Sequence, residues 1–436
     1  MANTPMENLT GLKDSDLLDE LENLAEKQGS LAVACALVEK LRSEGRFAEL
    51  FEARKMLHRM ELGLAPVHVE GVTSASVTVG NDAGATGAGV VCSLDPKIQD
   101  ELDKRLLDAC REVGCGLMRA ERLQEGWMYL RAVGDNALTA EALSSIEPNQ
   151  DNLDLLLNLY VHEGVDVGRG TQLSLKMRGT CNTITMLDSV VAMRGRTDQQ
   201  AAVTALVEHV HQELLSNLIA DIRRRQPNIA APGGGRIVDW LELQPGLLRD
   251  GTYHLDTTHL ASTVRFARVL DQHATLRLAS DLAEYGRQLH AQYQYQSEEP
   301  FADLYPMSLA WFRALLGEHV DAALRIFRQK AETLDPQEHG TVGIETYADL
   351  LARVGRPAEA SAYLMKAMPS GMRPFGIAPS LLELAQAAGN FQPMKDHARN
   401  RGDLLGFAAA LLQSSTLSAT PHALSPDTSP PTRLTP

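Results

Sequence analysis

Aromatic side chains are scarce in this sequence, at 5% of 436 residues. Layered sheets draw on aromatic and β-branched residues, so a chain dominated by Ala and Leu points to closely packed helices instead. Cysteine is also sparse: Cys35, Cys92, Cys110, Cys115 and Cys181 form no CxxC pair and are odd in number, which excludes a disulfide framework and suits reduced thiols. Nowhere do about 18 apolar residues run uninterrupted, so no membrane-spanning helix is expected. The opening MANTPMENLTGLKDSD lacks the basic and apolar regions of an export signal, and a soluble cytoplasmic protein is the expectation. Positive charge is in deficit as well. Lys and Arg number 41 against 56 Asp and Glu, a formal charge of −15, which argues against the clustered cations that phosphate backbones require. The densest basic run, Arg223-Arg224-Arg225, closes a predicted helix, where cations complement the helix dipole.

What is present is a repeated helical hairpin. From Ile344 to Met368 two amphipathic segments meet at Gly355-Arg356. Ala348 and Leu351 share a face before the turn, and Ala360, Leu364 and Ala367 share one after it, at the i, i+4, i+7 spacing of an apolar stripe. A single hairpin cannot bury both of its faces, so stacking on similar neighbours is expected. The same stripe follows Gly45, as Leu50, Ala53 and Leu57. Further turns are predicted near Glu121-Arg122, at Gly164 and Gly195, near Gln272-His273, and at Gly317, Gly355 and Gly389, the last three at intervals of 38 and 34 residues. Intervals of this size are those of stacked helical hairpins.

Composition divides the chain further. Residues 1–62 read as N-terminal helical hairpins and 63–93 as a Gly/Val/Thr-rich linker or small β-excursion. The glycines there are followed by no GK[ST], which leaves out a phosphate-binding loop. Asp95 and Pro96 then open a helical array over 94–226 with a cap and a first-position proline. Residues 227–236, PNIAAPGGGR, form a Pro/Gly loop, 237–413 a second array, and 414–436 a Ser/Thr/Pro tail too polar to order.

The hinge resembles the tetratricopeptide repeat: a Gly-Arg turn, a small residue five positions on, a large one four later and a small one three later, as Gly355, Ala360, Leu364 and Ala367. Gly317, with Ala322, Ala323 and Phe327 near register and Leu334-Asp335-Pro336 behind them, is similar; Gly389 departs, with Met394 at a small-residue position. Residues 181–210 also resemble a pentatricopeptide unit. The resemblance implies an all-α, right-handed α-solenoid of about eight to ten hairpins whose concave groove binds a protein or peptide, without a cofactor. The pentatricopeptide likeness implies single-stranded RNA binding as an alternative, against which the acidic balance weighs.

Two clusters bear on chemistry. Tyr253, His254, Asp256, His259 and Arg265 gather polar and titratable groups beside a predicted helix N-terminus, where anions are favoured, while Asp256 or Thr257 caps that helix. These five and Trp127, an aromatic on a repeat helix, are the binding candidates. The i, i+3 pairs Glu208/His211 and Asp256/His259 each place a carboxylate and an imidazole on one helix face, so an alternative is a metal-dependent enzyme using Glu208, His211, His254, Asp256 and His259. No GxSxG motif occurs, and no nucleophile–base pairing is legible in the spacing.

Overall fold

The computed structural model describes residues 14–67 and 95–419. The chain is all-helical. Among the described residues no strand forms, and Gln296 and Asp303 make an isolated antiparallel bridge. No described helix is long and apolar enough to cross a membrane. Two compact units divide at Gly170/Thr171, and the Pro/Gly loop at 227–236 lies inside the second.

The first unit contains α1 (Asp14–Gln28), α2 (Ser30–Ser43), α3 (Phe47–Glu61), α4 (Pro96–Arg119), α5 (Leu123–Val133), α6 (Asn136–Leu143) and α7 (Leu153–Leu157). Each of α1 to α4 packs on the next. The predicted stripe of Leu50, Ala53 and Leu57 is buried against Val38, Leu41, Val113 and Leu117. After α7 the chain makes one π-helical turn, Asn158–His162, before Gly164.

Helix α8 (Val167–Ser189) leads into the second unit and is kinked at Gly179 (φ 80°, ψ 172°), between the sequence segments that end at Met177 and begin at Cys181. There follow α9 (Arg196–Arg225), α10 (Ile237–Glu242), α11 (Thr257–Phe266), α12 (His273–Gln288), α13 (Leu304–Leu315), α14 (Val320–Thr333), α15 (Pro336–His339), α16 (Val342–Arg353), α17 (Pro357–Ala367), α18 (Leu381–Ala387), α19 (Gln392–Arg401) and α20 (Leu404–Ala419). Packing is repeat-like where consecutive helices meet, at α12 on α13, α16 on α17 and α19 on α20. It is not purely sequential: α10, α11 and α12 all pack on the 30-residue α9.

The turns share one backbone solution. At Gly355 (φ 82°) the amide of Arg356 bonds back to Leu351 O at 2.8 Å and that of Gly355 to Ala352 O at 3.1 Å. This left-handed cap satisfies carbonyls that a helix end would otherwise leave open. Arg46 to Leu41, Glu318 to Arg313 and Asn390 to Ala385 repeat it, and so does Arg122 to Leu117, where Glu121 takes the left-handed position at φ 59°. The predicted turn at Gly195 differs: that residue is extended (φ −62°, ψ 156°) and precedes α9 as its N-cap.

Two expectations fall at the edges of the described residues. The linker or β-excursion at 63–93 lies outside them from residue 68 onward. Of the predicted tail, 414–419 belongs to α20, where Ser414 and Ser415 return their hydroxyls to Leu411 O and Leu412 O at 2.8 and 2.6 Å and so satisfy themselves within the helix; the remainder lies outside.

Glycine in a helix interior usually costs about 1 kcal/mol relative to alanine, so Gly126 in α5 requires a reason. A Cβ there would sit 3.0 Å from Gly114 O and 3.2 Å from Met118 N, both backbone atoms of α4. Gly126→Ala is therefore expected to destabilise the first unit by about 1–2 kcal/mol despite its better propensity, because overpacking against backbone has no soft neighbour to move. Urea unfolding checks this; an unchanged or higher midpoint would show that α4 and α5 can separate freely.

Candidate functional site

A cleft of about 1070 Å³ opens in the second unit between the start of α9, α11, α13, α16 and the loops at 295–301 and 375–377. Its floor is built by the short 3-10 turn Ala267–Val269 that ends α11. Arg353 of α16 fixes that turn by donating from Nη1 to Arg268 O at 2.7 Å and from Nη2 to Leu270 O, and Trp311 of α13 donates Nε1 to Arg268 O at 3.2 Å. Phe301 and Trp311 of the lining form an aromatic cluster with Phe327, with centroids 5.2–5.5 Å apart; Trp311 meets both rings edge-on, and the two phenylalanines are tilted.

Arginines dominate the cleft wall, and all but one of those lining it reach a carboxylate. Arg194 pairs with Asp198 at 2.7 Å and Arg265 with Asp188 at 2.9 Å. Arg196 reaches Asp271 and Asp349 at 3.5 Å, while Arg353 reaches Asp271 at 2.9 Å and Asp349 at 3.4 Å. Of the acids, Glu299 is held by Lys330 at 2.8 Å. Arg268 is the exception. Its Cζ stacks 3.8 Å over the Phe301 ring and its Nε donates to Ser308 Oγ at 3.2 Å, but its Nη2 is buried with no hydrogen-bond partner. Burial without a counter-ion, with Arg265 nearby, draws its pKa down to about 9. It remains a cation at neutral pH, with an unmet donor.

The rim of the cleft is held by a buried carboxylate. Glu345, on the buried face of α16, accepts backbone N–H groups from Phe375 at 2.7 Å and from Gly376 and Ile377 at 2.8 Å each, together with the Thr341 hydroxyl. This fixes an otherwise irregular loop and leaves the Phe375 side chain 67% exposed at the cleft edge.

Of the sequence-predicted residues, Arg265 lines this cleft, and Asp256 caps α11 by accepting from Thr258 N at 2.8 Å and His259 N at 3.2 Å. The Thr258 hydroxyl, burial opposing, holds the Asp256 carboxyl below its ordinary range. His259 is half-buried in the first turn, and Tyr253 is exposed, edge-on to Tyr293 at 5.2 Å. His254 lies elsewhere in the same unit, in a buried chain in which Nδ1 meets Tyr285 OH at 2.9 Å and Nε2 meets Asp221 Oδ2 at 3.2 Å. Trp127 belongs to the first unit, on α5, with its Nε1 buried and unpartnered. Cys181 is exposed.

The five residues of the metal alternative are not brought together. His211 is turned inward to Asp281 at 3.5 Å, Asp281 is held in turn by Arg236, and Glu208 faces solvent. Asp256 is committed to its cap, and both His254 nitrogens are occupied by Tyr285 and Asp221. Among the described residues, no group of three or more His, Cys, Asp or Glu side chains is placed to hold a metal ion. Sequence reasoning passed over Arg268, Glu345 and Asp221. A signal existed for one: Glu345 falls three residues before Ala348, on the apolar stripe itself, where a carboxylate must have partners.

The His254 chain has a pH consequence. Burial lowers the His254 pKa against the pull of Asp221, with Arg224 and Arg225 adding to the lowering. Asp221, resisting burial, is kept ionised by hydrogen bonds from His254 and Arg224. With a folded pKa below the unfolded value near 6.5, the unfolded chain binds the extra proton first, so stability present at pH 7 is lost as the pH falls through the folded pKa. His254→Gln is expected to flatten the denaturation midpoint between pH 7 and 5, whereas an unaltered slope would assign the loss to other groups.

Compared with protein-family models and with curated proteins, the chain matches none.

Proposed function

We propose that the chain is a non-catalytic binding scaffold, built in its hairpin segments as a right-handed tetratricopeptide-like solenoid, and that the cleft of the second unit docks a segment of a partner protein. One observation carries this reading: the cleft is large, open and fixed by interlocking pairs, yet its floor holds a buried guanidinium nitrogen with nothing to bind. A buried donor left unmet costs about 1–3 kcal/mol, a penalty that a docked partner relieves. Among the described lining residues there is no histidine or cysteine.

The test is to pan a random dodecapeptide display library on the full chain and measure the recovered peptides by fluorescence anisotropy against wild type and Ala261→Trp, which fills the cleft from α11. Micromolar binding that the tryptophan abolishes is the expected result. Failure to recover any peptide, or binding indifferent to Ala261→Trp, would overturn the reading.

A further inference from the structure

The lining of the cleft restricts the chemistry of an occupant, given the scaffold reading on which this restriction rests. Arg194, Arg196, Arg265 and Arg353 are each neutralised by Asp188, Asp198, Asp271 or Asp349, and Glu299 is neutralised by Lys330. Among the described lining residues two charges have no ion pair, the exposed Glu298 and Arg268, and of these only Arg268 holds a buried, unpartnered nitrogen. A singly charged anion balances it. A phosphate dianion would bring a second negative charge into a cleft that already holds the unpaired carboxylate of Glu298.

Arg268 has its Nε engaged by Ser308 and one face covered by Phe301, so what it offers is an end nitrogen. The residue as a whole keeps part of its surface and lines the void, so a ligand there meets Nη2 if the side chain turns toward the cleft. Elsewhere on the lining of the same cleft, the Glu345-held loop presents Phe375, 67% exposed, and Ile377, 37% exposed. Exposed apolar side chains and a desolvated cation on the lining of one cleft supply the two halves of an amphipathic recognition surface.

We infer that the cleft takes a peptide segment in which one Asp or Glu carboxylate sits on Arg268 and a neighbouring apolar side chain packs on Phe375 and Ile377. The arginine supplies a charge-assisted hydrogen bond that has no competitor within the protein, and the loop supplies the apolar anchor. Specificity comes from what each half excludes: an amide at the acidic position leaves the buried guanidinium unneutralised, and a polar neighbour leaves Phe375 in water.

The experiment uses the peptides recovered by panning on the full chain. Each is synthesised in three forms, as selected, with its acidic residues changed to Asn or Gln, and with phosphoserine in their place, and is titrated by anisotropy into wild type, Arg268→Met, Arg268→Lys and Phe375→Ala. The recovered sequences are expected to be enriched in Asp or Glu beside an apolar residue. The amide form and Arg268→Met should each weaken binding at least about tenfold, and the two changes together should cost little more than either alone. Arg268→Lys keeps part of the affinity, and Phe375→Ala loses several-fold. Thermal unfolding guards against a folding artefact: Arg268→Met removes a buried unpaired charge and should melt no lower than wild type. Peptides that Ala261→Trp displaces but that bind Arg268→Met or the amide form equally well would overturn this inference while leaving the scaffold standing. Tighter binding of the phosphoserine form would overturn the singly charged assignment, and absence of any peptide binding would overturn both readings.

Discussion

Glu345→Gln is expected to lower the stability of the second unit by about 3 kcal/mol and to release the loop at 375–377. The carboxylate accepts four hydrogen bonds, two on each oxygen: Phe375 N–H and the Thr341 hydroxyl on Oε1, and Gly376 and Ile377 N–H on Oε2. Glutamine preserves shape and volume but replaces one oxygen with an NH2 group, which faces the Gly376 and Ile377 N–H groups in one orientation of the amide and the Phe375 N–H in the other, where the Thr341 hydroxyl can rotate to accept. Hydrogen bonds to a charged group contribute about 1.5–3 kcal/mol each, and an unsatisfied buried donor costs about 1–3 kcal/mol. Simple addition would exceed 3 kcal/mol. The loop can instead detach and hydrate its amides, which caps the global loss near the free energy of that local opening. Two measurements separate the effects: guanidinium unfolding for the global loss, and chymotryptic cleavage after Phe375 for the opening. Wild-type protection in the variant would mean that the loop is held by something other than Glu345.

Gly286→Ala should cost a similar amount by a different route. Gly286 lies in α12 where α13 crosses it, and a Cβ there would come within 2.2 Å of Tyr305 Cε1 and 2.4 Å of Cδ1. Alanine gains about 1 kcal/mol in helix propensity over glycine. The clash outweighs that gain because Tyr305 is 1% exposed and its ring has nowhere to swing. A loss of about 3 kcal/mol is the net expectation, at the upper end of overpacking effects. Tyr305 also carries a hydroxyl that is buried without a partner. The pair Gly286→Ala with Tyr305→Leu should therefore recover most of the loss, since leucine vacates the ring's position and removes the unmet donor. Thermal melts of the two single variants and the double variant decide the matter, and strict additivity would sink the contact argument.

Much of the fold was legible in the sequence because its signals are local. The stripes of Leu50, Ala53 and Leu57, and of Ala360 and Leu364, are buried as their spacing requires. Asp95 caps α4, accepting from Lys97 N at 2.8 Å, and Asp256 caps α11. The left-handed turns at Gly45, Gly317, Gly355 and Gly389 follow from the one residue type that takes positive φ without strain. Glu121 was a turn by position alone, and the kink at Gly179 falls in the mostly polar stretch between the segments that end at Met177 and begin at Cys181.

The candidate site was legible only in part. Tyr253, His254, Asp256, His259 and Arg265 are close in sequence, and proximity along the chain made them a cluster; in the structure Arg265 enters the cleft while His254 turns to Asp221 and Tyr285. What defines the cleft is contact between residues far apart in the chain: Arg353 with Arg268 O and Leu270 O, Glu345 with Phe375 to Ile377, Phe301 beneath Arg268. Periodicity, capping and turn chemistry depend on neighbours within about one helical turn, so the sequence alone determines helices, hairpin turns and buried faces. Whether a given arginine ends beside a carboxylate or without one depends on which helices cross and where. Tertiary packing decided that, and left Arg268 buried with a donor to satisfy.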